Sequence, residues 1–495
     1  MDYASSAPNV ILIGTGIVSA TLGTLLNKLE PDWHITILEK LETAGEESSN
    51  EWNNAGTGHA AFCELNYTPE NQDGSIDIDR AVEINEQFHV SQQFWSYLVE
   101  ENKIYNPEEF IQPLPHISFV YGEKNKEYLK KRYEKLSTHP QFQGIEFSDN
   151  HGQLKEWLPL MMKGRTTDET LAATKVSHGT DVNFGELTRK LLGNLENQNN
   201  VDIHYNHKVT DISQTNNKSW EVNVHDFKNN MLKVYTADFV FIGAGGGALP
   251  LLQKTRIPES KRIGGFPISG EFLVCNNPEV IKQHDSKVYG KEPPGTPPMT
   301  VPHLDRRHIN GEDTLLYGPF AGFSPKFLKS GSYTDLLASV KPNNIFTMLA
   351  AAGKNISMIR YLAQQLMMSK EQKMRELQKF VPNAKSNDWE ILVAGQRVQV
   401  IKDTDTQGKG ALQFGTELIH SEDLSLAALL GESPGASVSV SIMLEVLGKC
   451  FPQYSDKWKP YLKEMIPSYG EKLADNPELI EKIIPSTMKT LKLYN

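Results

Sequence analysis

Two residues of this chain have side chains whose chemistry their sequence neighbours do not explain. His303 stands in MTVPHLDRRHINGEDTLLYGPF, and an imidazole takes up and releases a proton near neutral pH, as a general base must. Arg397 stands in AGQRVQVIKD, flanked by Gly395, Val398 and Val400. A guanidinium in a largely apolar strand is costly unless it is paired, and its fork matches a carboxylate with two hydrogen bonds. The alternatives are a structural strand histidine and a structural salt bridge. A third candidate, His59, lies in the small-residue patch NNAGTGHAAF behind the acidic loop LETAGEESSN.

These side chains need elements to hold them. Asn310-Gly311 is a strong two-residue hairpin signal, and it predicts His303 opposite Gly318, where no side chain would crowd it. The segment KEPPGTPP just before reads as a stiff loop able to shape or cover a pocket. At the other end of the chain, NVILIGTGIVSATLGTLLNKLEPDWHITILEK reads as a βαβ unit. Its continuous apolar run from Val10 to Ile13 suits a parallel strand buried on both faces, and Leu22, Leu25, Leu26 and Leu29 recur at helical spacing. Gly14 permits the tight bend, and Gly16 lets a pyrophosphate approach the helix N-terminus. Ser19 stands where a third glycine is usual, with Gly23 beyond it. Glu39, 25 residues past Gly14, is placed to accept hydrogen bonds from a ribose.

A second glycine cluster, DFVFIGAGGGALPLLQ, follows another apolar strand. No acid-ended strand comes after it, so Gly243 and Gly245 read as a turn passing close to the first nucleotide; a nicotinamide site is the weaker alternative. KVTDI and SWEVNV read as strands joined by QTNNK, with Val209 a backbone contact to adenine. In LSLAALLGESPGASVSVSIMLEVL an apolar run ends at Gly431, Ser433, Pro434 and Gly435, and small residues open a helix. Three distant turns around one ligand suit the long FAD better than NAD.

Composition bounds the function. A chain of 495 residues with 39% hydrophobic and 22% charged residues reads as a globular protein with two or three domains' worth of core. Its net charge of −11 argues against nucleic acid as a partner. Cys63, Cys275 and Cys450 form no CxxC pair, so neither a disulfide framework nor a metal site is expected. The N-terminus has no basic region before its apolar run, and no stretch nears the roughly 18 apolar residues of a membrane span.

The blocks GTGIVSATLG, NNAGTGHAAFCELNYTP, GTDVNFGELTRKL, FIGAGGGALPLLQ, GGFPISGEF, EPPGTPPMTVPHLD, AGQRVQVIKD and ALLGESPGASVSVS occur in this order. In that order the chain resembles the malate:quinone oxidoreductases, from about residue 9 to 470, and more loosely the L-2-hydroxyglutarate oxidases of the glycine-oxidase and D-amino-acid-oxidase group. The resemblance implies FAD, oxidation of (S)-malate to oxaloacetate, a membrane quinone as acceptor, and a peripheral position on the inner face of the cytoplasmic membrane. L-lactate or another 2-hydroxy acid is the alternative donor. It also implies that Gly56, Thr57 and Gly58 run beside the flavin ring, with His59 against flavin or substrate; a buried, hydrogen-bonded histidine is the alternative. His303 would remove the hydroxyl proton and Arg397 hold a carboxylate. Malate has two carboxylates, and Arg307 is a possible second cation.

The expected fold is a discontinuous α/β Rossmann-type FAD-binding domain (1–75, 160–262 and 395–460) with an α+β substrate domain on a mostly antiparallel sheet (76–159 and 263–394) and a helical tail (461–495). Residues 80–135 and 352–380 read as helical. The Met/Leu-rich stretch 355–380, with Arg360, Lys370, Lys373, Arg375 and Lys379, suits either ordinary core packing with a solvated basic face or an anionic membrane surface.

Overall fold

The structure is a computed structural model that describes residues 7–291, 300–404, 408–413, 415–431 and 435–494. The segment VILI lies in the strand Asn9–Ile13, paired in parallel with His34–Leu38 on one side and Phe239–Ile242 on the other. Val201–His204 and Leu426–Gly431 extend the sheet in parallel, and Thr416–His420 closes one edge antiparallel.

Alternate side chains of the central strand enter two different cores, because successive residues of a strand point to opposite faces. Val10 and Leu12 pack with Leu22, Leu25 and Leu26 of the helix Ile17–Leu29 and with Met443 and Val446 of the helix Ser439–Cys450. Ile11 and Ile13 pack with Trp220, Val222 and Val224 of a three-stranded antiparallel sheet and with Leu249 and Leu252 of the helix Ala248–Thr255. At about 1.5–3 kcal/mol per buried large aliphatic side chain, this two-sided burial secures the sheet whose strand ends form the glycine turns.

A ten-stranded, mostly antiparallel sheet makes the second layer system. Its long strand Gly264–Cys275 pairs with Glu312–Phe323, Arg397–Thr404 and Glu390–Val393. The hairpin forms with the expected register, His303 opposite Gly318. Asn310 and Gly311 both have positive φ, 54° and 83°, as a type I′ turn requires.

Sequence expectation and structure part in two places. Residues 80–135 are not one helical stretch: helices Asp79–Glu100 and Glu123–Leu136 flank the strands Ile111–Pro113 and His116–Tyr121. Pro113 and Pro115 bar a helix there, and HISFVY is rich in β-branched and aromatic residues. The stretch 355–380 is helical as expected, as two helices, Ile356–Leu366 and Lys370–Phe380, the second started by a Ser369/Gln372 capping box. Finally, Leu171–Val176 and Arg397–Thr404 hydrogen-bond into the large sheet, although they fall in the ranges 160–262 and 395–460. Helix Asp79–Glu100 instead lends Ile84, Phe88, Phe94 and Trp95 to the core of the parallel sheet. Pairing partners, not chain neighbours, decide the layer.

Candidate active site

The glycine turns converge on one cavity of about 730 Å³. Gly14, Gly16, Glu39, Val209, Gly243, Gly245, Gly431, Gly435 and Arg397 all line it. A Cβ on Gly14, whose φ is +99°, would stand 2.8 Å from the carbonyl oxygen of Gly243, so the ends of the two central strands meet only as glycines. Helix Ile17–Leu29 starts at Gly16 without a capping side chain on that residue; Ser49 Oγ accepts from Ile17 N at 3.0 Å, and the turn faces the cavity. Glu39 accepts from Thr15 N (2.9 Å), Thr15 Oγ1 (2.7 Å) and Leu41 N (2.9 Å). A carboxylate has about four acceptor positions, so one is left for a ligand hydroxyl. Because Gly14 and Gly243 border the same space, these features fit a single long dinucleotide such as FAD.

Ser19 does not border the cavity. It is fully buried, and its Oγ would stand 2.3 Å from a Cβ on Gly243, so it fills the helix–sheet contact that the third glycine otherwise makes. Ser433, Pro434 and most of KEPPGTPP lie outside the described residues.

Arg397 opens the strand Arg397–Thr404 opposite Ile268, half-buried on the cavity wall. No carboxylate pairs with it among the described residues, so the structural salt bridge is not formed there. Beside it the buried Gln396 also borders the cavity, its Oε1 without a hydrogen-bond partner among the described residues.

His303 stands behind the cavity wall and does not line it; it is 5% exposed, and its Nδ1 lies 2.6 Å from Oδ2 of the fully buried Asp305. Strand alternation places His303, Asp305 and Arg307 on one face, and the register of the neighbouring strand Lys287–Tyr289 sets Tyr289 against His303 and Lys287 against Asp305. The Tyr289 and His303 rings stack at 4.6 Å with 9° between their planes. The space above Gly318 is not left to His303 as expected: a Cβ there would meet Phe272 at 2.8 Å, and that ring sits 5.8 Å from His303. Burial pushes the Asp305 carboxyl up, but the positive charges of His303, Lys287 and Arg307 outweigh it and hold the group below its ordinary range.

The segment 53–62 serves this cluster from beneath. Arg307 is fully buried, its Nε 2.8 Å from Asp181 and its Nη1 donating to the carbonyls of Asn54 (2.7 Å) and Glu51 (3.1 Å). It is a structural cation and not the second carboxylate partner. Gly56, φ +60°, must be glycine because a Cβ would lie 2.3 Å from the Arg307 guanidinium carbon. Gly58 is packed as tightly, a Cβ there standing 2.1 Å from Thr180 Oγ1 and 2.6 Å from Phe88. Neither glycine borders the cavity, so packing explains both. Thr57 Oγ1 and Tyr289 Oη share a hydrogen bond of 2.8 Å, and Ser437 Oγ donates to the Thr57 carbonyl at 2.9 Å. Ser437 adjoins Ala436 on the cavity wall, so Thr57 links the His303–Tyr289 stack to the cavity rim. His59 does not border the cavity; its Nδ1 pairs with Glu64 at 2.7 Å. Burial pushes the Glu64 carboxyl up, and the hydrogen bond and charge of His59, with His116, bring it down to about 2.

Sequence reasoning missed Asp305, Tyr289 and the Asp181–Lys287 pair (2.8 Å). The first was legible: HxDxR in the strand His303–Ile309 puts all three residues on one face. The others required the pairing of strands far apart in sequence. Cys63, Glu64 and His116 also come together, their ligand atoms within 4.8 Å, but burial pushes the Cys63 thiol well up and Lys287 and Arg132 stand near, conditions that disfavour a divalent ion.

Comparison with known proteins accords with this geometry. The fold resembles L-alpha-glycerophosphate oxidase from Mycoplasma pneumoniae, solved with FAD bound (TM-score 0.57, 14% identity, 90% of this chain and 94% of that one). It is equally similar to glycine oxidase from Geobacillus kaustophilus (TM-score 0.57, 15% identity, 90% and 95%). At sequence level the chain is 63% identical to the probable malate:quinone oxidoreductase of Bacillus cytotoxicus over 493 residues, covering 100% of this chain and 98% of that protein. It is 62% identical to the probable malate:quinone oxidoreductase of Halalkalibacterium halodurans, with the same coverage. Since the family's pattern also matches residues 6–493, the chain belongs to the malate:quinone oxidoreductase family.

Proposed function

We propose that this protein oxidises (S)-malate to oxaloacetate with FAD as cofactor and passes two electrons to a quinone. FAD, held by the residues that line the cavity, would supply the redox chemistry: acceptance of a hydride equivalent from C2 of the substrate and delivery of two electrons to the quinone. His303 accepts the hydroxyl proton. Its Nδ1 is held by Asp305, which leaves Nε2 as the basic atom, and the carboxylate offsets the charge that forms on the ring. Tyr289 stacks on one face of that ring and keeps it from turning. Arg397 binds a substrate carboxylate, being a cation on the cavity wall that no protein carboxylate neutralises among the described residues. Gly14, Gly16, Glu39, Val209, Gly243, Gly245, Gly431 and Gly435 hold the dinucleotide. Domain roles follow: the parallel sheet carries the cofactor and the large sheet the acid–base pair.

The observation that carries this reading is the buried His303–Asp305 pair, joined through Tyr289, Thr57 and Ser437 to the rim of a cavity lined by Arg397, which no carboxylate pairs among the described residues. Among the described residues no helix is long and apolar enough to cross a membrane. Since quinones are lipid-soluble, we infer contact with the membrane surface from the cytoplasmic side. The test is the visible spectrum of the purified protein, recorded anaerobically before and after L-malate. Bleaching of an oxidised flavin spectrum is expected. A flavin spectrum unchanged by L-malate but bleached by L-lactate would transfer the reading to another 2-hydroxy acid.

A further inference from the structure

We propose that the surface formed by residues 333–367 is the face that docks on an anionic lipid bilayer. This goes beyond membrane contact in general by naming the face, and it rests on the quinone reading only for its purpose. Among the described residues eighteen large apolar side chains are exposed, and eight of them lie in this one stretch: Tyr333, Leu337, Ile345, Phe346, Leu349, Ile356, Leu366 and Met367. The helix Ile345–Lys354 reads IFTMLAAAGK, with no charge before its last residue, yet Phe346 is 76% and Leu349 61% exposed. Its inner side is already satisfied: Thr347 and Ala351 are buried, and Met348 packs against Gly264 of the large sheet. Phe346, Leu349 and Ala352, three residues apart, therefore form an apolar outer stripe.

Charge identifies the occupant. The whole chain carries −11, whereas residues 333–367 contain three basic residues (Lys341, Lys354, Arg360) and one acid, Asp335, a net of +2. Asp335 is turned inward, accepting from the backbone N–H groups of Phe327 and Ser332. Lys341 and Arg360 are exposed and make no ion pair among the described residues. Apolar side chains framed by cations on an otherwise acidic protein match the headgroup boundary of an anionic bilayer and would repel a second copy of the same basic face. The face also adjoins the cofactor cavity, since Phe327, Leu328, Gly331, Ser332 and Asp335 form part of the cavity wall. A lipid-soluble acceptor would thus have a short way in.

The test is flotation of the FAD-loaded protein with phosphatidylcholine vesicles, with and without phosphatidylglycerol, in the absence of malate. We expect binding that requires phosphatidylglycerol and weakens with salt. F346S/L349S should cut vesicle binding at least ten-fold, and K341E/R360E should cut it by about five-fold per charge removed. The control L232S, at an 80% exposed position on the small antiparallel sheet, should leave it unchanged. Melting temperature and malate oxidation with a water-soluble dye check that the variants are folded, and a failure of dye reduction in the wild type would bear on the malate reading alone. Absence of wild-type binding, equal binding by F346S/L349S, loss in L232S, or a dimer in sedimentation that F346S/L349S abolishes would each overturn the assignment.

Discussion

Asp305→Asn removes one charge and almost no volume, so it isolates what the carboxylate does for His303. In the native protein the 2.6 Å contact to His303 Nδ1 is fully buried, and a charge-assisted hydrogen bond in such a setting contributes about 1.5–3 kcal/mol. Lost from the transition state, that is roughly a 10- to 150-fold slower reduction of the flavin by malate. The amide that replaces the carboxylate can also present an N–H to the ring and fix the wrong tautomer, which pushes the loss to the upper end. Stability should fall as well, by about 3–5 kcal/mol, because Lys287 and Arg307 are left to share Asp181 as their ion-pair partner among the described residues. Anaerobic stopped-flow reduction at saturating malate reads the limiting rate, and the concentration dependence reads binding separately. His303→Gln alone should cost about 10²- to 10⁴-fold. The decisive comparison is the double variant: if Asp305 acts through His303, H303Q/D305N is no slower than H303Q. Multiplying losses, or a D305N variant altered only in malate affinity, would refute the dyad.

Three further outcomes are expected. Gly56→Ala should destabilise the protein by about 3 kcal/mol, since the new methyl meets the buried Arg307 at 2.3 Å on a backbone with φ +60°; urea unfolding checks it, and a neutral result would show that Arg307 can yield. Arg397→Met should lower kcat/KM for malate by about 10- to 100-fold with the flavin still bound, the cost of one charge-assisted contact; an unchanged value in steady-state assays would remove Arg397 from the substrate site. The Glu64 carboxyl, brought from 4.5 to about 2 in the folded protein, contributes stability that is complete above pH 4.5 and lost as pH falls toward 2, about 3 kcal/mol in all. Glu64→Gln should therefore flatten the fall in unfolding free energy between pH 5 and 3, and an unchanged slope in denaturant titrations would contradict the assignment.

Local chemistry made much of this protein legible. A four-residue apolar run, a glycine bend and a helical leucine spacing determined the strand and helix from Asn9 to Leu29, because each signal lies within a few residues of the element that it forms. The Asn310-Gly311 turn likewise determined that His303 faces Gly318, since a two-residue turn leaves a hairpin one register. What the chain could not disclose locally depends on partners brought in from far away. Gly56 and Gly58 look like ligand-facing glycines, but their reason is Arg307, Thr180 and Phe88, up to 251 positions on. Arg307 read as a possible second cation for malate, yet the segment 51–56 and Asp181 close over it. Tyr289 and Lys287 came to His303 and Asp305 only when two strands paired. Turn type and periodicity are properties of neighbouring residues, whereas burial, counter-charge and the stacking of a ring are properties of the packed sheet. The acid–base pair was thus half written in HxDxR and half made by the fold.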